Sequence, residues 1–276
     1  PDDIILVADQ EGSPMEQERQ RRQQPRDADS AATTCVVFAA GTYFGERPLL
    51  PHNAFVIAAD GGLDHARALG IHADAVIGDF DSISGPVPEQ SGTIRLPEEK
   101  DDPDLLSALK VGWAQGARTF HIYGALGGRV DHSIANIQIL ARLAAHGGIG
   151  YLFGDGTIVT AISDGSLSFS ADAATRGAGR MVSVFSHSDQ STDVTERGLK
   201  YRLDHATMLN DTVQGVSNEF LTATPAVVSV GSGTLVVTFP IEAGLPHVER
   251  LHAFSGDLGA LSTAVSTALA TPRQSA

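Results

Sequence analysis

Two aspartates separated by a single residue are the clearest sign of chemistry in this chain. Asp79 and Asp81 stand in the motif Gly-Asp-Phe-Asp-Ser at 78–82, directly after a short apolar run. If that run is a buried strand, alternate residues leaving it need only a bend to bring both carboxylates together. Carboxylate oxygens suit a hard cation such as Mg²⁺. The motif therefore predicts metal ligands, with a solvated acidic loop as the alternative.

Two further acidic motifs accompany this one. Asp60 precedes Gly61 and a second glycine, which lets the backbone approach a ligand closely, although a strand-to-helix turn capped by Asp60 explains the same residues. Lys100 opens a cluster with three carboxylates that ends at Asp104. Helix capping accounts for one or two of those carboxylates but not for Lys100, whose charge suits a phosphate. Ser82 is open to two interpretations, as a cap or as a phosphate contact.

The most specific motif is the glycine-rich segment 124–132, which follows another predicted strand. Its three glycines suit a close approach to phosphate oxygens, and Arg129 offers a fork of donors for them. Asp131 can serve as a ligand or as a base. His132 and Asn136 lie one turn apart on the following helix and can face the same crevice. A structural or surface position is the alternative for His132.

Alternating strands and helices position these motifs. Apolar spacing predicts one helix over 105–113, capped by Asp102 with Pro103 in its first turn, and another over 134–144. The alternation favours a mostly parallel sheet whose carboxyl-end loops form a ligand crevice. The predicted strands are 35–40, 55–59, 75–77, 93–96, 120–123 and 151–153.

The chain changes character after about residue 154. Short β-branched segments separated by turn residues predict an antiparallel sandwich or barrel, so the expected fold is an α/β domain followed by an all-β sandwich. Segments 227–230 and 235–239 flank Gly231-Ser232-Gly233 and predict a hairpin. The expected domains are a polar arm at 1–34, flexible in part, an α/β domain at 35–154, a sandwich at 155–246 and a tail at 247–276 with a helix over 258–269.

Composition narrows the classes of function. The chain has 276 residues and a net charge of −14, which argues against a nucleic-acid-binding protein because such proteins need a cationic surface. No apolar run approaches the ~20 residues that span a bilayer, so we expect no membrane partner. The single cysteine, Cys35, cannot form an intramolecular disulfide and begins an apolar run. We expect it to be buried and reduced, in a cytoplasmic protein.

Together and in this order, these motifs resemble the thiamine pyrophosphokinase (thiamine diphosphokinase) family. The resemblance covers roughly residues 35–240 and continues through Gly-Leu-Lys-Tyr at 198–201 and Gly-Val-Ser-Asn-Glu at 215–219. It implies a nucleotide-binding α/β domain, a thiamine-binding sandwich and a homodimer with active sites between subunits. It also implies transfer of the pyrophosphoryl group of MgATP to the hydroxyl of thiamine, giving thiamine diphosphate and AMP.

The resemblance further implies roles for individual residues. Asp79 and Asp81 would hold Mg²⁺, with Asp104 and Asp131 as nearby catalytic carboxylates. One position departs from the family pattern, because Pro103 stands where a threonine precedes the last aspartate of a Lys-Asp-x-Thr-Asp motif. Two alternatives stay open, a pyrophosphokinase for another alcohol such as a hydroxymethylpterin and a thiamine or nucleotide sensor without turnover. The implied ATP-binding residues are Asp60, Gly61, Ser82, Lys100, Arg129, His132 and Asn136, and the implied thiamine-binding residues are Tyr201, Ser217 and Asn218.

Overall fold

The structure is a computed structural model that describes residues 34–89 and 91–266. Its first half contains β1 (Thr34–Phe38), β2 (Phe55–Ala59), α1 (Gly62–Ala68), β3 (Ala75–Gly78), β4 (Thr93–Arg95), α2 (Asp104–Ala114), β5 (Thr119–Tyr123), α3 (Val130–Ala145) and β6 (Ile149–Gly154). The six strands pair in parallel in the order β4-β3-β2-β1-β5-β6. The predicted parallel sheet is therefore confirmed. In the part of the chain that the structure describes, no helix is both long and apolar enough to cross a membrane.

Both faces of this sheet are buried, which explains why its strands read as continuous apolar runs. Along β1, Val36 and Phe38 enter one core while Cys35 and Val37 enter the other. Helix α2 covers the second core with side chains such as Leu109. Each fully buried aliphatic or aromatic side chain contributes about 1.5–3 kcal/mol. The loops at the carboxyl ends of the strands therefore stand on a rigid base.

The second half is rich in strands, as expected, and these pair antiparallel. Its elements are β7 (Thr157–Phe169), α4 (Ala171–Arg176), β8 (Met181–Ser186), β9 (Gln190–Arg197), β10 (Leu203–Leu209), β11 (Gly215–Glu219), β12 (Ala226–Pro240), a 3₁₀ turn (Ile241–Ala243) and β13 (His247–Arg250). Strand β7 pairs with β6 on one edge and with β12 on the other. The parallel sheet therefore continues directly into the β-rich half, in the order β10-β9-β12-β7-β6.

The hairpin predicted around Gly231-Ser232-Gly233 is wrong, because these residues lie within the single strand β12. Both parts of β12 pair with β7, and the register shifts between Val230 and Thr234. On its other edge β12 pairs first with β9 and then with β8. The glycines therefore bend one long strand between two partners, with Gly233 at φ +112°. In sequence, such a bend resembles a turn.

The helix predicted over 258–269 is also wrong for its described part, because residues 258–266 contain no helix. Carbonyl groups there bond to side chains of the α/β half. Leu258 O accepts from Arg142 Nη2 at 2.9 Å, and Ala260 O accepts from Lys110 Nζ at 2.7 Å. Gly259 at φ +87° interrupts any helical run. Residues 267–269 and the predicted polar arm, apart from Thr34 in β1, lie outside the described residues.

Candidate active site

The carboxyl ends of β2 and β3 bring acidic residues together. The strands are adjacent and parallel, and the backbone N–H of Asp60 donates to Ile77 O at 2.8 Å. Gly78 permits this approach, because a Cβ there would lie 3.1 Å from Asp60 Cα. Beyond the strands the chain turns sharply, with Asp60 at φ +46° and Phe80 at φ +66°. Left-handed conformations of non-glycine residues are unfavourable and cluster at functional sites.

These turns place one carboxylate oxygen each from Asp60, Asp79 and Asp81 within 4.8 Å of one another. We call these residues the three-aspartate cluster. Ser82 Oγ lies 2.8 Å from Asp81 Oδ1 and also contacts Asp60 Oδ2, but a hydroxyl has only one proton to donate. Asp60 is 7% exposed, and across residues 34–89 and 91–266 no hydrogen-bond partner is found for its buried Oδ1. A buried carboxylate oxygen needs a compensating charge, so this donor set fits a hard divalent cation.

Arg95, the last residue of β4, is a site residue that sequence reasoning missed. The pairing of β4 with β3 places it opposite Gly78. Its Nη1 donates to Asp79 O at 3.2 Å, and its guanidinium carbon lies 5.1 Å from the centre of the Phe80 ring. Arg95 thus braces the turn and brings a positive charge beside the cluster. A lone arginine in a three-residue strand gives no sequence signal, because only strand pairing reveals its position.

The negative charges of the three-aspartate cluster act on the Lys100–Asp104 segment. Burial is the main cause that raises the pKa of Asp104; Lys100 opposes the shift, and the charges of Asp60 and Asp79 add to it. Lys100 Nζ lies 3.0 Å from Asp104 Oδ1 and donates to Pro97 O at 3.2 Å. The lysine side chain is only 6% exposed. It therefore acts as half of an ion pair beside the cluster.

The predicted capping of α2 by Asp102 is wrong. Pro103 is the N-cap residue, and among the described residues α2 has no side-chain cap hydrogen bond. Asp102 instead forms an ion pair with Lys110 Nζ at 2.5 Å, and both side chains are nearly buried. Lys110 lies on the second turn of α2, so its pairing draws Asp102 away from the helix terminus.

The glycine-rich segment begins buried at Gly124 and becomes exposed from Gly127, and its last residues, 130–132, form the first turn of α3. Arg129 and Asp131 form an ion pair at 2.5 Å with both side chains mostly exposed, and the hydrogen bond from Arg129 is the main cause that lowers the pKa of Asp131. His132 is exposed on the first turn of the helix. Asn136 is buried, and its Nδ2 donates to Ala125 O at 2.7 Å. Asn136 therefore braces the loop that presents the three exposed residues.

The residues implied to bind thiamine lie in the β-rich half. Asn218 Nδ2 donates to Glu196 Oε2 at 2.8 Å and to Tyr201 O at 2.7 Å. Asn218 Oδ1 accepts from the backbone N–H groups of Tyr201 at 2.8 Å and Glu219 at 3.0 Å. The amide thus makes four hydrogen bonds inside the chain, which occupy both of its N–H donors. Tyr201 and Ser217 are exposed beside it.

The structure does not bring these residues to the three-aspartate cluster along the sheet. Six strands stand between β9, which carries Glu196, and β3, which leads to the cluster. Adjacent strands lie about 4.8 Å apart, so the separation measured along the sheet is roughly 34 Å. One chain therefore presents the two groups of residues on different parts of its surface.

Comparison with known proteins matches this division into two parts. The family model for the thiamin pyrophosphokinase catalytic domain matches residues 47–149, and the model for the thiamin pyrophosphokinase vitamin B1 binding domain matches residues 171–235. This chain belongs to the thiamine pyrophosphokinase family. The first range contains the three-aspartate cluster, and the second contains Tyr201, Ser217 and Asn218. The activity is that of a thiamine diphosphokinase, a transferase of thiamine diphosphate biosynthesis.

Solved structures show the same fold. Thiamine pyrophosphokinase from Bacillus subtilis superposes with a TM-score of 0.64 at 22% identity, over 75% of this chain and 99% of that one. The enzyme from Geobacillus thermodenitrificans gives 0.61 at 23% identity, over 77% and 100%. The enzyme from Candida albicans gives 0.57 at 14% identity, over 75% and 88%. None of the curated protein sequences matches this chain.

Proposed function

We propose that the chain transfers the β,γ-pyrophosphoryl group of MgATP to the hydroxyl of thiamine, which gives thiamine diphosphate and AMP. The observation that carries this proposal is the three-aspartate cluster, with the buried Oδ1 of Asp60 left unpartnered among the described residues. Ligands of open parallel sheets bind outside the carboxyl ends of the strands. The cluster occupies such a position, where a cation bound together with a nucleotide would supply the compensating positive charge.

The chain provides both signs of charge that this reaction needs. Mg²⁺ held by the three-aspartate cluster would neutralise charge on the phosphate oxygens of ATP. Arg95 adds a fixed positive charge at the edge of the cluster. Arg129 is exposed and forms an ion pair with Asp131, and its guanidinium offers a fork of donors to phosphate oxygens. Phosphoryl transfer depends mainly on such positioning and charge neutralisation.

We further propose a homodimer in which each active site draws on both subunits. Tyr201 and Ser217 are exposed beside Asn218, whose partner Glu196 lies on β9, roughly 34 Å from β3 along the sheet of one chain. In a two-fold dimer, a residue of one subunit contacts a different residue of the other, and the same contact is repeated with the roles of the subunits exchanged. The Tyr201 loop of one subunit then faces the cluster of its partner, and the buried amide of Asn218 keeps that loop in shape.

The charge of the protein favours this substrate. The thiazolium ring of thiamine is permanently cationic, and the chain carries a net charge of −14 with four carboxylates near the site. Such a field attracts a cationic substrate and raises its rate of association.

We also propose a cytoplasmic location, which suits a chain whose one cysteine is buried and free.

Analysis of the products tests the proposal. The protein is incubated with MgATP and thiamine, and the nucleotides and thiamine esters are separated by anion-exchange chromatography. We expect AMP and thiamine diphosphate in equal amounts. ADP with thiamine monophosphate would point to a simple kinase, and tight binding without AMP would point to a sensor. AMP formed only when hydroxymethylpterin replaces thiamine would point to another alcohol as the substrate.

Substitution of one ligand tests the metal site. Asp81→Asn keeps the size of the side chain but removes one negative charge from the cluster, and we expect turnover to fall about 100-fold while the fold is retained. Asp172→Asn is the matched control, because Asp172 is an exposed aspartate on α4. Near-normal turnover of the Asp81 variant at limiting Mg²⁺ would contradict the assignment of this ligand.

A further inference from the structure

The chain continues beyond the last residue that the family models match, which is 235. After β13, residues 254–266 contain neither helix nor strand, yet they lie against the α/β half. We call these residues the C-terminal strap. Leu258 is 1% exposed and belongs to the core that α2 and α3 share. Phe254 packs so closely on Gly147 that a Cβ there would lie 2.7 Å from Phe254 Cβ.

Two cations fasten the middle of the strap to two helices. Arg142 on α3 donates to Leu258 O at 2.9 Å, and Lys110 on α2 donates to Ala260 O at 2.7 Å. The same ammonium group of Lys110 forms the nearly buried ion pair with Asp102. One charged group therefore joins the strap, the helix and the loop that precedes the helix.

The end of the strap contacts that loop directly. The backbone N–H of Asp101 donates to Ser262 Oγ at 3.3 Å, and the backbone N–H of Ser266 donates to Asp101 Oδ1 at 2.8 Å. Both the backbone and the side chain of Asp101 are thus bonded to the strap. Asp101 stands next to Lys100, which forms the ion pair with Asp104 beside the three-aspartate cluster.

The strap contacts lie just before the start of α2, which is not capped by a side chain in the described part of the chain. Helix α2 has no side-chain cap, and its N-cap residue is Pro103, which has no backbone N–H to donate. A capping side chain stabilises the start of a helix by accepting a hydrogen bond from one of its first N–H groups. The strap instead holds Asp101, two residues before this N-cap.

We propose that the C-terminal strap is a positioning element of the active site. Through Ser262 and Ser266 it fixes the 100–104 loop so that the Lys100–Asp104 ion pair stays beside the three-aspartate cluster. The effect on turnover rests on the proposed pyrophosphoryl transfer. The effect on the loop itself does not.

Two truncations of the full chain provide the test. A chain ending at Leu261 loses both contacts to Asp101 but keeps Leu258 and the bonds from Arg142 and Lys110. A chain ending at Ser266 keeps every described strap contact and is the matched control. We expect the shorter chain to show kcat lower by about tenfold, comparable to the loss of one net hydrogen bond from the transition state. We expect its KM for thiamine and its thermal midpoint to stay close to those of the control.

Point variants and hydrogen exchange complete the design. Ser262→Ala should lower kcat in the same direction, whereas Ser262→Thr, which keeps the hydroxyl acceptor, should restore it. Amide hydrogen exchange over 97–104 should be faster in the shorter chain than in the control. This readout needs no activity, so an inactive wild-type protein would refute the proposed function and leave the strap testable.

Three results would overturn the role of the strap. The first is equal kcat and equal exchange over 97–104 in the two truncated chains. The second is a loss of activity that accompanies a general fall in the thermal midpoint, which would indicate a purely structural role. The third is failure of Ser262→Thr to restore kcat when Ser262→Ala has lowered it.

Discussion

Asn218 is expected to stabilise the β-rich half, and its replacement gives the most detailed prediction. Its Nδ2 is the donor to Glu196, a residue that is 1% exposed. Burial raises the pKa of Glu196, and the hydrogen bond from Asn218 opposes that shift. The same amide makes two bonds to the backbone of Tyr201 and accepts one from Glu219. Asn218→Ala removes all four bonds at once.

The expected loss of stability depends on which polar groups lose their hydrogen-bond partners in the variant. A typical hydrogen bond contributes about 1 kcal/mol net, and a buried acceptor stripped of its donor costs about 1–3 kcal/mol. The exposed Tyr201 loop regains bonds to water, whereas Glu196 does not. We therefore expect Asn218→Ala to lower the free energy of unfolding by about 3–4 kcal/mol.

The stability of the Asn218→Asp variant should depend on pH, and the structure determines the direction of that dependence. The variant places a second carboxyl group 2.8 Å from Glu196 Oε2, and two carboxylates so close share a proton and raise a folded-state pKa further. The folded variant then binds more protons than the unfolded chain above the ordinary value of 4.5. The loss of stability relative to wild type is therefore smallest below that value, and it grows as the pH rises through the raised folded-state pKa.

Urea unfolding followed by circular dichroism, at about pH 5 and about pH 8, measures both effects. Asn210→Ala is the matched control, because the exposed Asn210 donates from Nδ2 to Asp189 Oδ1 at 3.1 Å. We expect it to change stability by less than about 0.5 kcal/mol. The reasoning fails if Asn218→Ala stays within about 1 kcal/mol of wild type, or if Asn218→Asp is equally destabilised at both pH values.

Three further predictions concern the α/β half. Burial lowers the pKa of His121, with the Leu49 carbonyl opposing, so its contribution to stability is present above the ordinary value of 6.5 and is lost as the pH falls through the folded pKa. His121→Gln should therefore lose less stability in urea between about pH 7.5 and pH 5.5 than wild type, and identical losses would contradict this. Gly62→Ala puts a Cβ 2.0 Å from Phe38 O and should cost about 3 kcal/mol, whereas an unchanged melting temperature would rule out the close approach. Ser82→Ala should weaken Mn²⁺ binding in a paramagnetic titration about tenfold with the fold intact, and an unchanged affinity would remove Ser82 from the site.

The sequence predicted the elements that depend on local patterns. The apolar runs of β1 and β3 identify buried parallel strands because both faces of the sheet are covered. The prediction of Asp79 and Asp81 as cation ligands rests on a motif that directly follows one of those runs. Asp60 joins them from the neighbouring strand, which agrees with the expectation of a shared crevice.

The features that the sequence did not predict depend on contacts between distant segments. β12 bends at Gly233 because two different strands pair with its two parts, and no local pattern distinguishes this from a hairpin. Residues 258–266 are held by Lys110 and Arg142 from two helices, which overrides a weak helical propensity. Asn218 was assigned to thiamine from its motif, and only the structure shows that its amide is used inside the chain.

The fate of the β-phosphate of ATP tests the central claim most directly. ATP carrying radioactive phosphorus only at the β position is incubated with the protein, thiamine and Mg²⁺, and the label is followed by chromatography. Pyrophosphoryl transfer predicts that the label leaves the nucleotide and appears in thiamine diphosphate, with unlabelled AMP as the other product. Label retained in ADP, with thiamine monophosphate formed, would contradict the reaction proposed for the three-aspartate cluster.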